Sequence, residues 1–185
     1  SVNVSTLDND TAGFTVTETD GSTSVNESGV NDTFTIVLTA QPVSDVVLSI
    51  ASSDNTESSA TSTVTFTTNN WNTAQSVQVT AVDDFIIDGN QNSTLAISID
   101  DANSDNNFDA LADQTVTVTT TDNETAAFTL GAISGTVTEA ASTATFTVVL
   151  GAEPNSNVVI SVTSGDTGEA TVSPSSLTFT AANWD

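Results

Sequence analysis

Apolar residues recur at every second position in six stretches of the first 120 residues: TFTIVLT (33–39), DVVLSI (45–50), STVTFTT (62–68), SVQVTAV (76–82), LAISID (95–100) and QTVTVTT (114–120). A period of two sends alternate side chains to opposite faces, so each stretch predicts a strand with one buried face. Enrichment in Val and Thr, with turn-forming residues between the runs, supports the same reading. A first strand around 22–28 brings the count to seven, at the spacing of a sandwich. No segment carries the 3.6-residue period of a helix. The predicted fold is all-β, an immunoglobulin-like sandwich of seven antiparallel strands.

The pattern also repeats at long range. DNDTAGF (8–14) returns as DNETAAF (122–128), FTIVLTAQP (34–42) as FTVVLGAEP (146–154), VVLSI (46–50) as VVISV (158–162), and TFTTNNW (65–71) as TFTAANW (178–184). A spacing near 113 held over four blocks is the mark of tandem units. Residues 1–10 (SVNVSTLDND) match TVTVTTTDNE (115–124) and are expected to be the last strand of a preceding repeat. Residues 11–124 form one complete repeat, and 125–185 part of a second. Phe34, Phe66 and Trp71, with their counterparts Phe146, Phe179 and Trp184, are expected to pack in or at the edge of each core rather than to bind sugars.

Charge changes the picture most. The chain holds 24 acidic residues and no Lys, Arg or His, for a net charge of −24. A basic surface for nucleic acid cannot be built, nor a polybasic membrane patch, and no apolar run is long enough to span a bilayer. With no Cys, disulfides and thiolate metal sites are excluded. Without His, Cys, Lys, Arg or Tyr, no nucleophile–base pair of the usual kinds can be assembled, and the chain is expected not to be an enzyme. Cations are the natural partners.

In an antiparallel sandwich, successive connections alternate between the two ends. One end then collects Glu27 and Asp32, Asp54 and Glu57, Asp83, Asp84 and Asp88 in AVDDFIIDG (81–89), and Asp122 and Glu124. Carboxylates crowded together oppose each other's ionisation and need a counter-charge. Ca²⁺ accepts six to eight oxygen ligands in flexible geometry, whereas Mg²⁺ demands a strict octahedron and Zn²⁺ prefers donors this chain lacks. Phe85 and Ile87 are expected to point into the sandwich and anchor the loop. The segment DDANSDNNFDALAD (100–113) alternates acids and amides like the start of an EF-hand loop. Asn106 stands in place of the glycine and Ala112 in place of the closing Glu, so an ion site and a solvated turn both stay open there.

These residues bring the chain to a family. VNESG around Glu27, SSDNTE around Asp54, VTAVDD running into FIIDG, and the closing TDNET resemble the calcium-binding pattern of Calx-beta domains, which occur in sodium–calcium exchangers and as tandem arrays in bacterial surface adhesins. The resemblance spans the whole chain. It implies tandem Calx-beta-type seven-stranded sandwiches, Ca²⁺ as cofactor, and metal ligands at Glu27, Asp54, Asp83, Asp84, the Ile86 carbonyl, Asp88, Asp122 and Glu124, with Glu139 and Asp166 in the second repeat. Gln91 and Asn123 stand where exchanger domains carry further acids, which implies fewer ions or weaker sites.

The expected function is an extracellular, Ca²⁺-stiffened spacer in a long adhesin or surface fibre, with neighbouring repeats of the same chain as partners. A filament-forming subunit that associates with itself, or a module binding a glycan or a surface, is the alternative.

Overall fold

A computed structural model describes residues 1–7, 9–140 and 142–185, and the chain divides into two compact units. Unit 1 comprises Ser1–Asp83 and Asn90–Asp122; unit 2 comprises Asp84–Gly89 and Asn123–Asp185.

Nine strands are found in unit 1 among the described residues: β1 (Phe14–Glu18), β2 (Thr23–Asn26), β3 (Asp32–Leu38), β4 (Val46–Ser52), β5 (Ser58–Ala60), β6 (Thr63–Phe66), β7 (Gln75–Ala81), β8 (Gln91–Ile99) and β9 (Gln114–Thr121). They form a four-stranded sheet, β1-β3-β7-β5, and a five-stranded sheet, β2-β9-β8-β4-β6. Two strands, β1 and β5, lie in segments not read as strands from the sequence. The all-antiparallel expectation fails at β2 and β9, which run parallel because the chain changes sheets before β2. The chain leaves β1, turns through Thr19–Gly21 with Asp20 at φ 55°, and enters β2 in the other sheet. Likewise β5 pairs with β7, while β6, three residues on, pairs with β4.

The alternating pattern fills the space between the sheets. Phe34, Ile36 and Leu38 of β3 face Val46, Leu48 and Ile50 of β4, with Phe66, Val77, Val79, Leu95, Ile97, Val116 and Val118 in the same buried cluster. Each such side chain contributes about 1.5–3 kcal/mol by leaving water, and closing two sheets on one another is what lets all of them do so. Phe34 and Phe66 are core residues, and Trp71 packs on the cluster from its edge. Among the described residues no helix is long and apolar enough to cross a membrane.

Asp105, in the 100–113 loop, is buried, yet it is fully used by the protein. Its carboxylate accepts from the backbone N–H of Val43 (2.6 Å), Ser44 (3.4 Å) and Asn107 (3.0 Å), and from the Asn107 amide (3.0 Å). The loop is thus tied to the turn before β4 by hydrogen bonds.

Unit 2 pairs β10 (Phe128–Leu130) with β11 (Val148–Leu150), and β12 (Val158–Ser161) with β13 (Ser176–Phe179). The register repeats that of unit 1 residue by residue. Phe128 faces Leu150 as Phe14 faces Leu38, and Val158 faces Phe179 as Val46 faces Phe66. Leu150 N–H donates to the Trp184 carbonyl (2.8 Å) as Leu38 N–H does to that of Trp71 (3.1 Å). Burial does not follow: Phe146 is 42% exposed where Phe34 is at 0%.

Burial pushes the Asp105 carboxyl up, but the donors from Asn107, Val43 and Ser44 outweigh it, so it sits below its ordinary value. A depressed folded pKa stabilises above the unfolded value of about 3.9 and loses that stabilisation as pH falls through the folded one. Asp105→Ala should cost about 1–3 kcal/mol at neutral pH in urea unfolding, because it removes the buried acceptor that ties the loop to the turn before β4. The variant should also lose part of the wild-type decline in stability below pH 4.

Candidate metal centre

Strand pairing sets two acids side by side. β2 and β9 run parallel, with Val25 opposite Thr120 and Asn26 opposite Thr121. The next residues on each strand are Glu27 and Asp122. The ladder extends one step further, as Glu27 N–H donates to the Thr121 carbonyl (3.2 Å). Neighbouring strands lie about 4.8 Å apart, and the carboxylate oxygens of Glu27 and Asp122 come within 4.8 Å of each other. Glu27 is only 7% exposed, and Asp122 is half-buried. Two unit charges at that distance repel by about 3–4 kcal/mol at an effective dielectric constant near 20.

A tight turn holds Glu27 in place. Gly29 N–H donates to the Asn26 carbonyl (2.9 Å), Asn26 N–H to the Val30 carbonyl (3.0 Å), and Ser28 N–H to the Asn26 side chain (2.7 Å). Gly29 sits at φ 100°, where a Cβ is strained.

Two more segments meet at this end of unit 1. The Glu57 carbonyl accepts from Val82 N–H (2.9 Å) and from the Thr120 hydroxyl (3.3 Å), so the 53–57 turn is stitched to the exit of β7 and to β9. The Glu57 side chain is buried, at 8% exposure. Asp83 follows directly on Val82 and is exposed. Beneath lies a layer of buried hydroxyls, in which Ser58 and Ser93 meet at 2.6 Å.

The other expected ligands fall as follows. Asp54 is exposed, and its Oδ1 accepts from the Thr56 N–H (2.9 Å) and hydroxyl (2.6 Å). These bonds, the hydroxyl foremost, hold its carboxyl below the ordinary value. Asp32, part of the expected acidic end, accepts from Ser24 N–H (2.8 Å) and Thr33 N–H (2.6 Å), joining β2 to β3. Asp84, Ile86 and Asp88 belong to unit 2, as do Glu124, Glu139 and Asp166. Asp84 and Ile86 are half-buried, and Asp84 accepts from Ile86 N–H (2.7 Å); Asp88 is exposed. Glu124 is half-buried, whereas Glu139 and Asp166 are exposed. Asp166 accepts from Gly168 N–H (2.9 Å), repeating the Asp54 turn.

Phe85 does not enter the sandwich of unit 1, contrary to the sequence expectation. It lies in unit 2, more than half exposed, with its ring 5.5 Å from that of Trp184 and its carbonyl accepting from Glu153 N–H (2.7 Å). Ile87 is exposed as well. An aromatic partner in the repeated NW element holds Phe85, which an apolar pattern alone does not reveal.

Sequence reasoning placed Glu57 in the acidic end but left it out of the ligand set in favour of Asp54. No local signal marks it: the SSA that follows becomes β5 only by pairing with β7, and that pairing draws Glu57 inward.

The donor set near Glu27 is oxygen only: carboxylates, hydroxyls and carbonyls. No basic side chain exists in the chain to balance them. That chemistry fits a hard divalent cation such as Ca²⁺ and does not fit Zn²⁺ or copper.

No family model matches the chain, and no curated protein matches it. Among solved structures, it is similar to SSP-19, an MSP-domain protein like family member in Caenorhabditis elegans, at 20% identity and TM-score 0.35, covering 55% of this chain and 92% of that one. It is similar to the apo-form Calx CBD1 domain at 10% identity and TM-score 0.37, covering 60% and 97%. A chaperone–tip adhesin complex of CFA/I fimbriae biogenesis matches at 9% identity and TM-score 0.40, covering 91% and 82%. None of these likenesses bears on what the site binds.

Replacing Gly29 by Ala should cost about 1 kcal/mol or more in urea unfolding, because the turn demands positive φ. Thr56→Val removes a donor from Asp54, and its titration midpoint, followed by carboxyl NMR, should move up towards the ordinary value.

Proposed function

We propose that unit 1 is a non-catalytic β-sandwich module that binds Ca²⁺ between Glu27, Glu57, Asp83 and Asp122, and that it serves as a spacer in an extracellular adhesin or surface fibre. The observation that carries this reading is the Glu27–Asp122 pair: two carboxylates within 4.8 Å, one of them buried, in a chain without Lys, Arg or His. A cation turns their repulsion into a shared attraction and joins the ends of β2 and β9 to the turn before β5 and the exit of β7. Asp122 is the last residue of unit 1, so a bound ion also restrains the chain at the point where it leaves the sandwich. That restraint is what a spacer requires. With few full charges, the affinity belongs to the millimolar class of extracellular calcium modules.

Calcium should bind with measurable heat in titration calorimetry and raise the melting temperature. An ion that binds only the folded state adds about 1.4 kcal/mol at a tenfold excess over its Kd and about 2.7 kcal/mol at a hundredfold excess. Glu27→Gln and Asp122→Asn should each abolish most of that increment while leaving cation-free stability equal or higher, because each relieves repulsion. Mg²⁺ should not substitute. Chelation should shorten the maximum dimension measured by X-ray scattering. Identical melting curves with calcium and with EDTA would sink the proposal.

A further inference from the structure

At the acidic end of unit 1 the two sheets are joined by hydroxyls. Ser58 of β5 and Ser93 of β8 belong to opposite sheets, and their buried hydroxyls lie 2.6 Å apart. Thr120 of β9 is 1% exposed and donates its hydroxyl to the Glu57 carbonyl (3.3 Å), from one sheet to the turn that enters β5 in the other. The inward positions of β9 are Val116, Val118 and Thr120. A polar group thus stands in place of valine at the last buried step before Asp122.

The fold does not require that hydroxyl. Valine has nearly the same shape, and without the Thr120 hydroxyl the Glu57 carbonyl still accepts from Val82 N–H (2.9 Å). A buried carbonyl that keeps one donor is not stranded, so the exchange costs stability little. What valine cannot do is hold the Glu57 peptide to β9. Val25 and Thr120 are partners in the β2–β9 ladder. The period of two carries Val25 to Glu27 and Thr120 to Asp122, on the same face of each strand. Thr120 therefore stands one same-face step from the close pair of carboxylates, and its hydroxyl reaches the backbone of a further buried acid, Glu57.

We propose that Thr120 is a positioning residue for the cation site. Its hydroxyl ties the Glu57 peptide to the strand that carries Asp122, and so sets where the Glu57 carboxylate can share an ion with Glu27 and Asp122. The inference rests on the reading of unit 1 as a Ca²⁺-binding module. A Glu57 turn released from β9 keeps its charge, but the ion must then order it, and that ordering is subtracted from the affinity.

The test is titration calorimetry of the whole chain with calcium chloride. Thr120→Val and Thr120→Ala should each raise the Kd about three- to tenfold. The melting temperature of cation-free Thr120→Val should stay the same or rise. Thr120→Ser, which restores the hydroxyl, should recover most of the affinity. Thr117→Val makes the same change on the exposed face of β9 and should leave binding unaltered. In a Glu57→Gln background, Thr120→Val should weaken binding no further, because it acts through Glu57. If the unmodified chain takes up no calcium, the cation reading itself falls and the role of Thr120 with it. If the unmodified chain binds but Thr120→Val binds equally well, if serine does not restore affinity, or if the Thr120 and Glu57 losses add, the calcium module stands and the role of Thr120 is overturned.

Discussion

Every carboxylate in this protein meets one constraint: no side chain of opposite charge exists to balance it. Backbone N–H groups and hydroxyls must do part of the work that Lys and Arg do elsewhere. Asp105, Asp32 and Asp54 show the result, each gathering two or more donors from turns or neighbouring strands. In that role an acid acts as a clamp on local backbone, and the 100–113 loop, the β2–β3 junction and the 53–57 turn all depend on such clamps. At Glu27 and Asp122 the β2–β9 ladder in addition delivers charge beside charge. The same ladder that completes the five-stranded sheet brings the two carboxylates within 4.8 Å.

The two sheet changes make this possible. Had the 14–26 region stayed in one sheet, pairing with β3, Glu27 would lie away from the end of β9. The break at Thr19–Gly21 lets β1 close the four-stranded sheet and β2 close the five-stranded one. The break between β5 and β6 has a similar effect, because β5 draws Glu57 to the exit of β7 while β6 covers the core beside β4.

The sandwich was legible in the sequence wherever alternation was strong. Phe34, Ile36, Leu48, Val77, Leu95 and Val116 all lie on the faces their period assigns. The breaks were not legible. FTVTE (14–18) alternates well, but nothing local tells a reader that it and TSVN (23–26) join different sheets. SSA (58–60) has no apolar alternation and becomes a strand only because β7 offers it an edge. The approach of Glu27 to Asp122 rests on the parallel β2–β9 pairing, which an all-antiparallel reading does not contain. Nor was it legible which acid turns inward, because Glu57 rather than Asp54 is buried through long-range bonds to Val82 and Thr120. Phe85 was misplaced for the same reason: its partner Trp184 is about 100 positions away along the chain.

The pairing of β2 with β9 is parallel and joins strands near the two ends of unit 1. A chain pulled from both sides draws β2 back toward Thr23 and β9 forward toward Thr121. Those forces run along the strands in opposite senses, so the hydrogen bonds between them are sheared together rather than peeled apart one at a time. Shear shares the load across the whole ladder, and the Glu27 N–H bond to Thr121 lies at the end of that ladder where the tension on β9 enters. A parallel pair so placed resists a pull along the strands in shear.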